Sequence, residues 1–469
     1  MVCLSRLNGV HRMKGTKEVV TYHFVGIGGI GMSALAQIIR AQGHRVSGSD
    51  RSNDNGLTPE IFRKLELHDI KLYPQDGSGI SHITDIVVIS SAIEEDNRDQ
   101  KRALEMGIRI VKRSELLSGL FNQNRGIAVG GSNGKTSVCG MIGWILSASG
   151  YDPTVVGGGY LKNYIETSLG NARFGNSDCV VIEADESDGS LVTYKPKVSV
   201  ITDISKDHQT VDELKKLFCK FADNTSEVIV IHEKCAHFIK TCEKGKKIIT
   251  YGEGNNADIR AYNLSCNPVG SRFEVDGKKF EIHVPGLYNV LNALASIAVA
   301  QNEGIPDDEI DKALRVFKGI KRRMDFVGQK NGVKIIDDYA HNPKKIQMAI
   351  NAARLYNERL IIIFQPHGYA PTKFLRDDFI STFETTLLPT DILYMPEIFY
   401  AGGTADKTIS SKDIIDDLKD RGFDAFYFRK REQIIGDIQK KASPGNTVLV
   451  MGARDDSLTN FCHSLLSEL

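Results

Sequence analysis

The segment Ala128-Val-Gly-Gly-Ser-Asn-Gly-Lys-Thr-Ser137 decides the fold of the central part of the chain. It follows a short apolar run and precedes a helix-like apolar segment. In a strand, glycine loop and helix of this kind, backbone N–H groups face a phosphate, Lys135 reaches the outer phosphates and the Thr136 hydroxyl ligates Mg²⁺. Position 129 is valine where the strict P-loop pattern has glycine, so the motif is the shorter form Gly131-x-x-Gly134-Lys-Thr.

A second glycine-rich turn lies near the N-terminus. Gly26-Ile-Gly-Gly-Ile-Gly31 follows the apolar run Tyr22–Val25 and precedes a helical pattern. Such glycines permit a tight turn and close approach of the backbone to a diphosphate. Asp50 ends the next strand-like segment, where a ribose-binding acid would lie. These residues alone predict binding of an NAD-type cofactor or of another diphosphate-linked nucleoside.

The two phosphate motifs constrain the function together. A dehydrogenase would explain the first motif and leave Lys135 and Thr136 without a role, whereas a P-loop kinase would leave the N-terminal block without one. An enzyme that consumes ATP while it holds a second nucleotide-linked substrate explains both.

The organisation of the chain is that of an α/β protein with three blocks. Residues 1–118 and 319–469 alternate apolar runs with helical patterns, which predicts βαβ units with parallel sheets, and the glycine turn makes the first of these blocks Rossmann-like. Residues 119–318 contain the phosphate loop, further parallel strands and, between residues 257 and 284, a short antiparallel part with an Asp276-Gly277 turn. Lys318–Arg323 is the predicted hinge between the second and third blocks.

The composition excludes several classes of partner. The chain has 469 residues with 59 Lys+Arg and 59 Asp+Glu, so there is no bulk electrostatic case for nucleic acid or an anionic membrane. No apolar run reaches the roughly 18 residues that span a bilayer, and residues 1–17 do not resemble a secretory signal. We therefore expect a cytoplasmic protein. The sequence does not indicate its oligomeric state.

The eight cysteines are scattered and none forms a C-x-x-C pair. Without a secretion signal they are expected to be reduced and mostly buried. Cys235, His237 and Cys242 lie close together but lack a paired second half, so the spacing argues against zinc.

Charged side chains follow several predicted strands. Four acids come directly after the strand Cys179–Ile182, at a position suited to hold Mg²⁺; they are Glu183, Asp185, Glu186 and Asp188. His208 follows the next strand. Arg322 and Arg323 at the hinge could offset charge on a transferred phosphate or could simply be solvated linker charge.

Six motifs in one order resemble the Mur ligases of peptidoglycan synthesis, and most closely the branch that adds alanine. The motifs are Gly26–Ser33, Gly131–Thr136, Glu183–Asp188, Gly286–Asn292, Arg322–Asp325 and Asp337–Pro343. The resemblance implies a UDP-sugar domain, a central ATPase domain and a C-terminal Rossmann-like domain. It implies an ADP-forming ligase that uses ATP to activate the carboxylate of UDP-N-acetylmuramate as an acyl phosphate, which the amine of L-alanine then attacks.

The resemblance also implies roles for individual residues. ATP would be bound by Gly131, Ser132, Asn133, Gly134, Lys135, Thr136, Ser137, Asn289, Asn292, Arg323 and Asp338. Mg²⁺ would be held by Thr136, Glu183 and His208. The UDP-sugar acid and amino acid would be bound by Gly26, Gly28, Gly29, Gly31, Met32, Ser33, Asp50 and His341. The catalytic group would comprise Lys135, Glu183, His208, Arg323 and Asp338.

The C-terminal block departs from the family pattern. His367-Gly-Tyr-Ala-Pro-Thr372 stands where the alanine-adding branch has His-Arg-Tyr-Thr-Arg-Thr, so two arginines are replaced. A ligase that joins another amino acid or a peptide to a UDP-sugar acid or similar carboxylate is therefore a close alternative. An NAD(P)-dependent oxidoreductase and a regulatory protein without turnover are two further readings. Two observations argue against both: Lys135 and Arg323 are present, and so are Glu183 and His208.

Overall fold

The computed structural model describes residues 19–186, 189–205, 210–240, 245–357, 359–400 and 407–469. The chain divides into two compact units. The first contains the described parts of Met1–Gly131, Val138–Ile204 and Asp212–Ile249, and the second those of Ser132–Ser137, Ser205–Val211 and Thr250–Leu469.

The first unit begins with a parallel sheet of five strands in the order β3-β2-β1-β4-β5. Its strands are β1 (Thr21–Val25), β2 (Arg45–Ser49), β3 (Lys71–Tyr73), β4 (Ile86–Ile89) and β5 (Arg109–Lys112). The accompanying helices are α1 (Ile30–Ala41), α2 (Arg51–Asp54), α3 (Pro59–Leu67), α4 (Arg98–Glu105) and α5 (Arg113–Phe121). The predicted βαβ pattern is confirmed, and the buried residues of β1 place this sheet in the core.

A second sheet contains β6, the strand that leads into the phosphate loop, as one of its inner strands. Its order is β12-β11-β10-β6-β9-β7-β8, and β13 extends it by pairing Ile259 with Tyr251 of β12. The strands are β6 (Arg125–Gly130), β7 (Thr154–Val156), β8 (Ala172–Arg173), β9 (Cys179–Glu183), β10 (Val198–Ile201), β11 (Val228–His232), β12 (Lys247–Gly252) and β13 (Ile259–Arg260). Helices α6 (Lys135–Ala148) and α7 (Val211–Asn224) belong to the same part of the chain.

The predicted antiparallel part is also confirmed. Strands β14 (Tyr262–Asn267), β15 (Gly270–Val275) and β16 (Lys278–Ile282) form an antiparallel sheet. Asp276 and Gly277 both have positive φ, +48° and +79°, as a two-residue hairpin turn of type I′ requires. Helices α8 (Leu287–Asn302) and α9 (Asp307–Arg315) follow.

The C-terminal sheet has the order β17-β18-β22-β19-β20-β21, with β17 antiparallel and the other strands parallel. Its strands are β17 (Asp325–Lys330), β18 (Val333–Asp338), β19 (Leu360–Gln365), β20 (Ile392–Pro396), β21 (Ala425–Phe428) and β22 (Thr447–Gly452). Its helices are α10 (Pro343–Ala353), α11 (Tyr369–Phe374), α12 (Arg376–Thr386), α13 (Ser411–Asp420), α14 (Glu432–Lys441) and α15 (Ser457–Glu468). The α/β fold class predicted from the sequence is confirmed.

Two further predictions concern cysteines and membranes. All six cysteines within the described ranges are free thiols, and these ranges contain no cluster of three or more His, Cys, Asp or Glu that could hold a metal; Cys242 lies outside them. In the same ranges, no helix combines the length and apolarity needed to cross a bilayer.

We predict that Gly126→Ala destabilises the protein, by about 1–3 kcal/mol. A Cβ at this position of β6 would lie 2.3 Å from Cζ of the buried Phe121 ring. Gly436→Ala in α14 is the matched control, because its Cβ would meet nothing within 4 Å and the change should stabilise the helix by about 0.5–1 kcal/mol. Thermal melts of both variants test this; an unchanged Tm for Gly126→Ala would contradict it.

Candidate functional site

The phosphate loop joins β6 to α6, as the sequence predicts. Gly131 has φ +139°, and a Cβ there would lie 2.1 Å from Thr202 Oγ1. Gly134 has φ +87°, in the region that favours glycine. Lys135 is the first residue of α6, so the positive end of the helix dipole and the N–H groups of its first turn lie at this loop. The geometry suits a bound phosphate.

The loop is fastened to the segment that follows β10. Ser132 Oγ donates to the Ser205 carbonyl at 2.8 Å and accepts from the Ser205 N–H at 3.1 Å. Asn133 Nδ2 donates to Ser205 Oγ at 3.0 Å. Sequence analysis missed Ser205, whose signal was only its place after a predicted strand. His208, the predicted metal ligand further along, lies outside the described residues.

The two hinge arginines have different environments. Arg322 is buried, with φ +57°, and donates to the Gly452 carbonyl at 2.7 Å and to Asp337 Oδ1 at 3.3 Å. Arg323 instead extends Nη2 to within 3.5 Å of Thr136 Oγ1 in the phosphate loop. Arg322 therefore supports the C-terminal sheet, and Arg323 is the arginine available to a phosphate.

Asp338 holds the turn that carries Arg323. Its Oδ2 accepts from the Met324 N–H at 2.7 Å and its Oδ1 from the Ala340 N–H at 2.8 Å. Burial raises the pKa of the Asp338 carboxyl, and the Arg323 guanidinium opposes that rise. The ionised carboxylate accepts both backbone bonds, and protonation would weaken the one made to the protonated oxygen.

Helix α8 contributes Tyr288 to the surroundings of Asp338. Burial, and next the Asp338 carboxylate, raise the pKa of Tyr288 well above 10, so this phenol stays neutral. Tyr288 was not among the predicted site residues. The predicted Asn289 and Asn292 are buried on α8: Asn289 Nδ2 donates to the Pro285 carbonyl at 2.7 Å and Asn292 Nδ2 to Asn289 Oδ1 at 3.3 Å.

His341 forms a second titratable centre after β18. Its Nδ1–H donates to the Tyr339 carbonyl at 2.8 Å, which leaves Nε2 to accept from the Lys345 ammonium at 3.3 Å. Burial first, and Lys345 next, lower the pKa of His341 well below 6.5. The His367 ring packs edge-on at 5.4 Å. The imidazole is therefore neutral near pH 7.

Glu183 ends β9 in register with Val129 of β6. Its Oε2 accepts from the Gly158 N–H at 3.0 Å, and a Cβ at Gly158 would lie 2.3 Å from the same oxygen. Mg²⁺ is commonly held by one or two carboxylates together with substrate phosphates. A single carboxylate beside the strand that leads into the phosphate loop fits such an ion without a larger ligand cluster.

The N-terminal glycine turn is shaped by Asp50. Asp50 Oδ2 accepts from the Gly28 N–H at 2.9 Å, and Oδ1 accepts from the Ser52 N–H at 2.8 Å. Of the predicted ligand-binding residues, Gly26, Gly28, Gly29 and Gly31 are at least partly exposed, whereas Met32 and Ser33 are buried. The Arg113 side chain, which sequence analysis missed, lies 3.1 Å from where a Cβ on Gly31 would be. A guanidinium therefore borders this turn.

Three family descriptions match the chain in order. "Mur ligase family, catalytic domain" matches residues 21–125, "Mur ligase middle domain" residues 129–300 and "Mur ligase, glutamate ligase domain" residues 322–454. A UDP-N-acetylmuramate–L-alanine ligase of Agrobacterium fabrum (strain C58 / ATCC 33970) is 34% identical, and the alignment covers 97% of this chain and 98% of that protein. The chain belongs to the Mur ligase family.

Solved structures of Mur ligases share the architecture. A UDP-N-acetylmuramate–alanine ligase of Thermotoga maritima superposes with a TM-score of 0.78 at 27% identity, over 96% of this chain and 98% of that one. A murein peptide ligase of Psychrobacter arcticus 273-4 superposes with a TM-score of 0.69 at 23% identity, over 96% and 98%. The second similarity shows the fold alone. The family resemblance predicted from the sequence motifs is confirmed.

We predict that Arg322→Ala destabilises the protein by about 3–5 kcal/mol, because it leaves the buried Asp337 carboxylate without its ion-pair partner. Arg323→Ala, one residue along, is the comparison: Asp338 loses a charged partner but keeps its two backbone donors, so the loss of stability should be smaller, about 1 kcal/mol. Thermal and urea melts compare the two. Equal losses of stability in the two variants would contradict the separate roles assigned to the arginines.

We predict that His341 makes stability depend on pH. A histidine whose folded pKa is lowered below its unfolded value stabilises the fold above about pH 6.5, and that contribution is lost as the pH falls. The Tm should therefore fall more steeply between about pH 7 and about pH 5 in the parent than in His341→Gln. If the Tm fell with pH at the same rate in both proteins, His341 would have the same pKa in the folded and unfolded states, contrary to this prediction.

Proposed function

We propose that the protein is an ATP-dependent, ADP-forming ligase that joins the carboxylate of UDP-N-acetylmuramate to the amine of L-alanine. It would act in the cytoplasm in the synthesis of peptidoglycan precursors. Similarity over 97% of the chain to a relative named for this reaction supports the substrates. The observation that carries the chemistry is the approach of Arg323 to the Lys135–Thr136 end of the phosphate loop.

The reaction needs an activated acid, because a carboxylate is a poor electrophile. A carboxylate oxygen attacks the γ-phosphorus of ATP and ADP leaves, which gives an acyl phosphate. The amine nitrogen then attacks the acyl carbon, the C–O bond to phosphate breaks, and the nitrogen loses a proton. Lys135 and Arg323 are the cations that we assign to the transferred phosphoryl oxygens. Their positive charge would offset the negative charge that this transfer concentrates.

A magnesium ion fits the chemistry of the residues present. We assign Thr136, Glu183 and His208 to hold it. When bound, Mg²⁺ would neutralise phosphate charge and polarise the phosphoryl group. The Gly158 N–H bond fixes the orientation of the Glu183 carboxylate, which is the role of outer-sphere hydrogen bonds in metal sites.

We assign the acid substrate to the N-terminal turn. Its partly exposed glycines, with Arg113 beside Gly31, suit the diphosphate of a UDP-sugar. The division into a UDP-sugar domain (1–118), an ATP-binding domain (119–318) and a C-terminal ligase domain (319–469) is part of this proposal. The three successive family matches support it. We assign Asn289, Asn292 and Asp338 to ATP and His341 to the amino acid.

A second candidate is a ligase of the same mechanism for another amino acid or a peptide. Gly368 has φ +71° and precedes α11, which contains Pro371. Neither residue has a cationic side chain, so these positions provide no charge for the carboxylate of an incoming amino acid. This local difference concerns the amine substrate and leaves the phosphate chemistry unaffected.

We predict that ADP and phosphate form only when UDP-N-acetylmuramate and an amino acid are both present. A coupled ADP-release assay with purified protein and a panel of amino acids measures this. Turnover with glycine or another amino acid but not with L-alanine would favour the second candidate. Lack of turnover with every UDP-sugar acid would overturn the substrate class.

The matched variants are Lys135→Ala and Lys344→Ala. Lys135→Ala should lower kcat by about 10²-fold or more while UDP-N-acetylmuramate still binds, because the lost charge acts on the transferred phosphoryl group. Lys344, an exposed lysine on α10, is the control and should leave kcat within about twofold. Near-normal turnover in Lys135→Ala would contradict the ATP site.

A further inference from the structure

A buried amide network connects helix α1 to the segment that precedes β8. Asn171 is 2% exposed and Gln37 is 8% exposed. Asn171 Nδ2 donates to the Ile30 carbonyl at 2.7 Å and to Ser33 Oγ at 2.8 Å, and its Oδ1 accepts from Gln37 Nε2 at 2.9 Å. Both amide hydrogens and the carbonyl oxygen of Asn171 are therefore used.

Gln37 completes the network. Its Nε2 also donates to the Ser33 carbonyl at 3.0 Å, and its Oε1 accepts from the Leu169 N–H at 3.1 Å. Each amide thus faces donors on one side and acceptors on the other, so neither can flip without losing bonds. Networks of this kind hold two elements in one relative position, because any shift leaves buried polar atoms unpaired.

The backbone of Asn171 continues this connection toward Glu183. The Asn171 carbonyl accepts from the Gly157 N–H at 2.8 Å. The next residue, Gly158, donates its N–H to Glu183 Oε2 at 3.0 Å. Asn171 thus contacts the end of the N-terminal glycine turn through its side chain and, through its backbone, Gly157, the residue before the one bonded to Glu183, all within the first compact unit.

We propose that Asn171 is a positioning residue that fixes the turn Gly26–Ser33 relative to the Glu183 carboxylate. The inference rests on the proposed function, in which the turn holds the UDP part of the acid and Glu183 serves the metal at the reacting carboxylate. These two ends of one substrate must be held at a constant separation. A misplacement of about 1 Å can lower a rate by about 10²-fold.

The test compares Asn171→Ala and Asn171→Asp with Thr225→Val. Aspartate keeps acceptor oxygens but loses both N–H donors that face Ile30 and Ser33. Thr225 is a matched control, because its hydroxyl is equally buried and donates to Ser199 Oγ at 2.9 Å elsewhere in the same unit. All variants are assayed well below their own Tm.

We expect both Asn171 variants to raise the KM for UDP-N-acetylmuramate and to lower kcat, each by about tenfold. The KM for ATP should stay within about twofold, and Thr225→Val should change none of these constants beyond that range. If the Asn171 variants changed the constants no more than Thr225→Val does, the proposal would be overturned.

Hydrogen exchange provides a readout that does not need turnover. Asn171→Ala should speed amide exchange both in residues 26–33 and at residues 157–158, whereas Thr225→Val should speed neither. Protected amides at both places in Asn171→Ala would overturn the positioning role even if the enzyme were active. Faster exchange at both places, with no turnover by the wild type on any UDP-sugar acid, would support the link and overturn the proposed function.

Where Asn171→Ala does not fold, Gln37→Met replaces it. This change removes the donor to Asn171 Oδ1 and the acceptor for the Leu169 N–H, and keeps the bonds of Asn171 to Ile30 and Ser33. A smaller rise in the same KM, about threefold, is expected, again with the KM for ATP unchanged. An unchanged KM for UDP-N-acetylmuramate in Gln37→Met would overturn the positioning role proposed for Asn171.

Discussion

The phosphate loop depends on a steric constraint at Gly131. A side chain there would collide with Thr202 Oγ1 at 2.1 Å, so the backbone can pass the end of β10 only as glycine. Beyond this point Ser132 and Asn133 are bonded to Ser205, which holds the loop after it has turned. These contacts lie within the protein, and donors held in place in this way cost little reorganisation when they meet a phosphate.

In the second unit, one of two adjacent arginines supports the fold and the other lies at the phosphate loop. Arg322 donates hydrogen bonds to the Gly452 carbonyl and to Asp337, whereas Arg323 points to Thr136. Asp338 is the residue that links them, because its carboxylate holds the Met324 N–H in the turn that carries both arginines. Burial of this carboxylate is unfavourable, and two backbone donors and a guanidinium offset the cost.

In the proposed function, the first unit has a different task, which is to set the spacing between two distant parts of the acid substrate. Side-chain amides are suited to this role because each presents donors and acceptors in a fixed plane. Asn171 uses its side chain toward α1 and its backbone toward Gly157, so one residue links the glycine turn to the segment in which Gly158 bonds Glu183. The residue has no charge of its own and no exposed surface from which such a role could be guessed.

The sequence by itself determined the features that depend on neighbouring residues. Apolar runs predicted β1, β9 and β10, Asp276-Gly277 predicted the hairpin, and the glycines with Lys135 predicted the loop, because strand period, turn geometry and loop chemistry are local. The motif resemblance singled out Arg323, but only the tertiary structure showed that Arg322 is buried against Asp337 and the Gly452 carbonyl, and that Ser205, Tyr288 and Asn171 matter. Those roles come from hydrogen bonds and burial between residues far apart in the chain, and a local pattern contains no information about which distant groups will meet.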